Sequence, residues 1–116
     1  MDKITVYQKP TCTTCREVYA ALKESKVPFE AVDYFIEPIP AAKLKELVRK
    51  MGIRAVELLR TKEPPFQELK KDAASFSDDE VIDLMARYPE LIQRPIVEKG
   101  KVAILARPAE KIKEIL

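Results

Sequence analysis

Cys12 and Cys15 are the two thiols of a 116-residue chain that contains no histidine. On a helix, the i, i+3 spacing puts both sulfurs on one face, a turn apart. Pro10-Thr11 breaks the chain just before them, so the pair lies where a helix begins. Free N–H groups in a helix's first turn carry partial positive charge and favour a thiolate. Thiols of Cys-x-x-Cys motifs in such places have pKa values lowered to roughly 3.5–7.5. Cys12, nearer the helix start, is the expected nucleophile, and Cys15 is its expected catalytic partner. Two cysteines buried for packing alone would be the plainer reading, but i, i+3 at a proline-marked helix start is an unusual packing pattern. Two thiols do not make the usual four-ligand zinc site, so no metal is expected. Without histidine there is no imidazole base, and the thiol must be activated by lysine, arginine or the helix itself.

Three arginines could serve that thiol. Arg60 closes a short helical segment, Arg94 directly precedes Pro95, and Arg107 directly precedes Pro108. Each stands at the edge of an element. The planar guanidinium binds tetrahedral oxyanions through paired, fixed donors. Taken singly, each arginine also reads as a solvated surface charge, and sequence spacing alone does not bring the three together.

The elements that must position these residues follow from patterning. Lys3 to Tyr7 alternates as a strand. From Thr13 to about Lys26, Val18, Ala21 and Leu22 fall on one helical stripe. Phe29 to Tyr34 reads as a second strand. Leu44, Leu47, Val48 and Met51 form the next stripe, stopped at Gly52. A short helix is expected over Ile53 to Arg60, a turn at Pro64-Pro65, and another helical turn within Phe66 to Lys71. Ser77 to Glu80 is a capping box leading a helix with Val81, Leu84, Met85 and Tyr88. Pro95 to Val97 and Val102 to Leu105 flank Glu98-Lys99-Gly100-Lys101, a hairpin signal. Pro108 then opens a last helix carrying Ile112, Ile115 and Leu116. Phe29, Tyr34, Phe35 and Phe66 read as core or rim packing. The order β-α-β, helical block, β-β-α implies an α/β fold with a mixed four-stranded sheet. A Cys-x-x-Cys after the first strand of a βαβ unit is a thioredoxin-like redox signature. One thioredoxin-like domain over 1–116 is expected, with a helical insertion at about 40–88.

Composition narrows the function classes. Hydrophobic residues make up 47% and charged residues 34%, the balance of a globular chain. A net charge of +2 is too small to point to nucleic acid or a membrane surface. No apolar run nears the ~20 residues of a membrane span, and no signal-peptide pattern opens the chain. The expected location is cytoplasmic, where thiols stay reduced.

Several short runs, taken together and in order, resemble the glutaredoxin-coupled arsenate reductases. They are Tyr7, Pro10 and Cys12 in a Y-x-x-P-x-C run, Leu58-Leu59-Arg60, Pro89 with Leu91-Ile92, Arg94-Pro95-Ile96-Val97, and Arg107-Pro108. The resemblance implies a thioredoxin-like fold with a helical insertion. It implies that Cys12 attacks arsenate or a similar oxyanion held by Arg60, Arg94 and Arg107. It implies no bound cofactor, glutathione as co-substrate, and glutaredoxin or thioredoxin as reductant. In thioredoxin-like folds a cis-proline lies beside the reactive cysteine, and Pro95 matches that position. The chain departs from the pattern in two places. Cys15 stands where family members commonly have a non-cysteine, often serine. Gln8 stands where some have histidine, leaving Lys9 or Arg16 as substitutes. The second cysteine also resembles the Spx-type transcription regulators, which carry a Cys-x-x-Cys redox switch and bind RNA polymerase. Arg107-Pro108 is not expected in those regulators. A thiol oxidoreductase with a different substrate is the third reading.

Overall fold

The computed structural model describes residues 3–116, as two compact units: one of residues 3–37 and 94–116, the other Pro38–Gln93.

The first unit is built on β1 (Ile4–Gln8), an interior strand. It pairs parallel with β2 (Phe29–Asp33) and antiparallel with β3 (Ile96–Lys99), which pairs antiparallel with β4 (Val102–Leu105). The sheet order is β2-β1-β3-β4, so the expected mixed four-stranded sheet is present. The parallel crossover is α1 (Thr13–Ser25), which ends on Lys26 at φ 60°. Val18 and Leu22 of α1 join Ile4, Val6 and Val97 in one apolar cluster. Burying side chains of this size contributes roughly 1.5–3 kcal/mol each and fixes the helix against the sheet. The alternation read in β1 understates its burial. Tyr7 and Gln8 are buried as well as Ile4 and Val6, and the Tyr7 hydroxyl donates to the buried Glu98 carboxylate at 3.1 Å.

The end of the chain differs from the expected helix. Ala109–Glu114 is a 3-10 helix. Six residues are too few to propagate an isolated α-helix. The three-residue turn directs Ile112 and Ile115 to the core, while Leu116, expected on the same face, is exposed.

In the second unit, α2 (Ala41–Met51) buries Leu44, Leu47 and Val48 and ends at Gly52. The helix expected over Ile53 to Arg60 is one 3-10 turn, Ala55–Leu58. Beyond it, Leu59 forms an isolated antiparallel bridge with Ile92. The two prolines expected as a turn open α3 (Pro64–Gln67), because missing N–H groups cost nothing at a helix start. In α4 (Asp78–Arg87), Ser77 and Glu80 close the expected capping box. Its buried stripe is Val81, Ile82 and Met85, while Tyr88 is exposed.

Gly52 has φ +68°, and a Cβ built there meets nothing within 4 Å. The glycine is therefore required by backbone conformation alone, since the left-handed region costs other residues about 1–2 kcal/mol. Gly52→Ala is expected to lower unfolding stability by about 1 kcal/mol in urea titration, with an unchanged m-value.

Candidate active site

Strand register gathers the site. β3 runs antiparallel to β1 with Ile96 opposite Tyr7. Arg94 and Pro95, just before β3, therefore lie at the end of β1, where the chain turns into the Cys12 loop. Leu105 of β4 lies opposite Ile96, so Arg107, two residues on, returns to Arg94. β2 is parallel to β1, so Tyr34 and Phe35 leave the sheet at the same end.

The reactive-cysteine loop is held by its backbone. The Cys12 N–H donates to the Lys9 carbonyl at 2.9 Å, and the Cys12 carbonyl accepts from Arg16 at 3.0 Å. Cys12 is the N-cap of α1, and its neutral side chain makes no cap hydrogen bond. Burial raises its pKa, but the N–H of Cys15, the Cys15 thiol, the charge of Arg94 and the N–H of Thr14 together carry it below the ordinary value. Cys15 is fully buried. Burial pushes its pKa up to about 12, and the neighbouring Cys12 sulfur adds to that rise. Both cysteines are free thiols.

Arg94 is 9% exposed. Its Nη1 donates to the Tyr34 hydroxyl at 3.5 Å, and its guanidinium lies 5.7 Å from the Phe35 ring centroid. Among the described residues it has no carboxylate partner, and its buried Nε has no hydrogen-bond partner at all. Burial lowers its pKa, but Tyr34 and the charge of Cys12 more than offset this and raise it overall. Arg107 is exposed. Its Nη1 donates to the Arg94 carbonyl at 3.0 Å and lies 4.0 Å from the Cys12 sulfur. The Arg94–Pro95 and Arg107–Pro108 bonds are both cis.

Arg60 lies in the second unit. Its side chain pairs with Glu63 at 3.3 Å, and its N–H donates to the Leu91 carbonyl. Lys9 and Arg16, considered as substitutes for a missing histidine, are placed otherwise. The Lys9 ammonium sits 4.5 Å from the Phe35 ring centroid, and Arg16 is exposed. The charge of Arg94, not of Lys9 or Arg16, is among the causes that lower the Cys12 pKa, and Arg107 is the second cation beside the sulfur. Sequence reasoning missed Tyr34 and Phe35 as supports of that cation. The available signal was their place directly after the second parallel strand, where α/β sheets put their sites. Among the described residues no three His, Cys, Asp or Glu side chains gather as a metal site.

The arrangement is a thiol of lowered pKa beside two guanidinium groups, neither of which is paired with a carboxylate among the described residues. It can bind a small oxyanion and attack its central atom. A profile of the ArsC family matches residues 7–115. The chain belongs to the ArsC family. It is 35% identical to an arsenate reductase of Acidiphilium multivorum, over all of this chain and 82% of that one. It is 36% identical to the uncharacterized protein YfgD of Escherichia coli, over 98% of this chain and 97% of the relative. The structure of an arsenate reductase from Vibrio cholerae superposes with a TM-score of 0.92 at 31% identity, covering 99% of this chain and 98% of the other. The thioredoxin-like α/β fold of this ArsC-family chain is thereby shown.

The unequal thiols give a direct expectation. Iodoacetamide at neutral pH should alkylate Cys12 well before Cys15, as read by peptide mass spectrometry. Because the Cys12 pKa is lowered, its rate should rise with pH through a midpoint below the ordinary thiol range. Arg94→Met should move that midpoint upward without restoring the ordinary value, because the Cys15 N–H remains. Faster labelling of Cys15 would reverse the assignment.

Proposed function

We propose that this chain is a thiol-dependent arsenate reductase in which Cys12 is the nucleophile. One observation carries the reading: a buried arginine, Arg94, has no carboxylate partner among the described residues and lies beside a thiol of lowered pKa. Burying an unpaired cation costs several kcal/mol, and a bound oxyanion would compensate it. Relatives alike over the whole chain bear the name arsenate reductase, which supports arsenate as that oxyanion.

In the proposed reaction the Cys12 thiolate attacks arsenic. A sulfur–arsenic bond forms, an arsenic–oxygen bond breaks, and the departing hydroxide takes a proton and leaves as water. Arg94 and Arg107 neutralise the charge on the remaining oxygens through charge-assisted hydrogen bonds. The family resemblance extends the same role to Arg60, and turnover of Arg60→Ala would decide it. The sulfur of a second thiol then attacks the Cys12 sulfur: a sulfur–sulfur bond forms, the sulfur–arsenic bond breaks with its electron pair left on arsenic, and arsenite departs as the two thiols become one disulfide. For that step the resemblance points to glutathione, with glutaredoxin or thioredoxin as the protein reductant. No helix among the described residues is long and apolar enough to cross a membrane, and we place the reaction in the cytoplasm, where thiols stay reduced.

The regulator reading is not favoured. Arg107, unexpected in the Spx-type proteins, reaches the Cys12 sulfur, and several relatives alike over the whole chain bear the name arsenate reductase.

Arsenite production from arsenate, followed with glutathione plus glutaredoxin and separately with thioredoxin, tests the proposal. Cys12→Ser should abolish it, since a hydroxyl is a far weaker nucleophile. Arg107→Ala should lower kcat/KM by about 10- to 100-fold, the scale of a lost hydrogen bond to a charged group. Arg107→Lys should recover part of that loss, because a point charge cannot reproduce the fork. A folded Arg107→Ala variant with wild-type turnover would remove the oxyanion site.

A further inference from the structure

The buried thiol of Cys15 is left unused by the reaction above. It is fully buried, so neither arsenate nor an external thiol can meet it directly. Its position is nevertheless polar. Cys15 is the third residue of α1, three on from the N-cap Cys12, the spacing that puts both sulfurs on one face, and Cys12 and the Lys9 backbone are among the groups that act on its ionisation. A cysteine serving only to fill the core would face apolar neighbours. Cys15 instead has one reactive neighbour, the sulfur that carries the proposed intermediate.

Resting on the arsenate reductase reading, we infer that Cys15 is the resolving thiol, so that the chain releases arsenite by joining its own two sulfurs and is then reduced by a protein dithiol, not by glutathione. In this step the Cys15 sulfur attacks the Cys12 sulfur of the arsenylated enzyme. A sulfur–sulfur bond forms and the sulfur–arsenic bond breaks. The electron pair of the broken bond stays on arsenic, which passes from As(V) to As(III). The Cys15 proton goes to an oxygen of the departing arsenite. Two thiols have become one disulfide, which balances the two electrons gained by arsenic.

The electrostatics favour this order. In the resting site the Cys12 sulfur is one of the causes that hold Cys15 protonated, so the two thiols do not compete for arsenate. Once Cys12 is bonded to arsenic it is no longer a free thiolate. Burial, the largest cause that holds Cys15 protonated, and the Arg94 charge, which favours a Cys15 thiolate, both remain, so the Cys15 proton is handed on within the step itself. The fixed neighbour then acts at the high effective concentration of an intramolecular reaction.

The same burial selects the reductant. An incoming thiol can attack only the Cys12 side of the disulfide. The mixed disulfide left by a monothiol such as glutathione is open to re-attack by Cys15, which expels it again. A dithiol protein resolves its own mixed disulfide with its second thiol.

The deciding experiment mixes the reduced chain, freed of external thiol, with excess arsenate, and measures arsenite and free thiols. The wild-type chain should release about one arsenite per chain and lose about two thiols, the stoichiometry of one disulfide. Cys15→Ser and Cys15→Ala should release none until glutathione is added. With thioredoxin as reductant, the wild type should turn over at least about tenfold faster than either variant. If the wild type releases no arsenite without added thiol, while glutathione turns over wild type and Cys15→Ala equally, Cys15 is a packing residue and the inference falls, though the reductase reading stands. If no reductant yields arsenite from the wild type, the reductase reading falls and takes this inference with it. The wild-type measurement is decisive even if both variants fail to fold.

Discussion

A positive charge buried without a carboxylate organises this site. Arg94 is enclosed at the start of β3, and the groups that make its burial tolerable are a hydroxyl, an aromatic face and a thiol able to ionise. None of them cancels the charge permanently. A neighbouring aspartate or glutamate would have made the arginine more comfortable and the site less able to receive an anion. Arg60 shows the ordinary alternative, a guanidinium paired with a nearby carboxylate. The energetic cost at Arg94 is met by the packing of the sheet, where Ile4, Val6 and Val97 join α1 in a single core.

The sheet converts that local tension into a usable geometry. A parallel pair and two antiparallel pairs around β1 bring the ends of β1, β2 and β4 and the start of β3 to one edge. Each supplies a part: the Cys12 loop, Tyr34 and Phe35, Arg107, and Arg94. Supports and reactive groups therefore come from backbone segments held by ladder hydrogen bonds, and the exposed arginine is anchored through a backbone carbonyl.

Much of this was legible in the residues. The Cys-x-x-Cys at a strand-to-helix junction located the thiol whose pKa is lowered, and hydrophobic stripes located α1, α2 and α4. Short elements were harder, because periodicity needs more than a turn or two to separate α from 3-10 geometry, as at Ala55–Leu58 and Ala109–Glu114. The meeting of Arg94 and Arg107 was readable in principle. They lie at equal distances on either side of the Gly100-Lys101 turn, so a hairpin of that register sets them opposite one another. The place of Tyr34 was readable from the end of the second strand, but its partner was not, because an aromatic residue there looks the same whether its hydroxyl meets solvent or a buried cation.

The absence of histidine has a physiological consequence. The permanent charges at the Cys12 edge are guanidinium groups, which do not titrate in a living cell. Imidazole is the side chain whose ordinary pKa lies between pH 5 and 8, so a drift in the surrounding acidity finds little here to protonate except the Cys12 sulfur and the incoming anion. The attraction that draws an anion inward thus stays constant under acid stress. Sensitivity to acidity is left to the two partners of the bond being made.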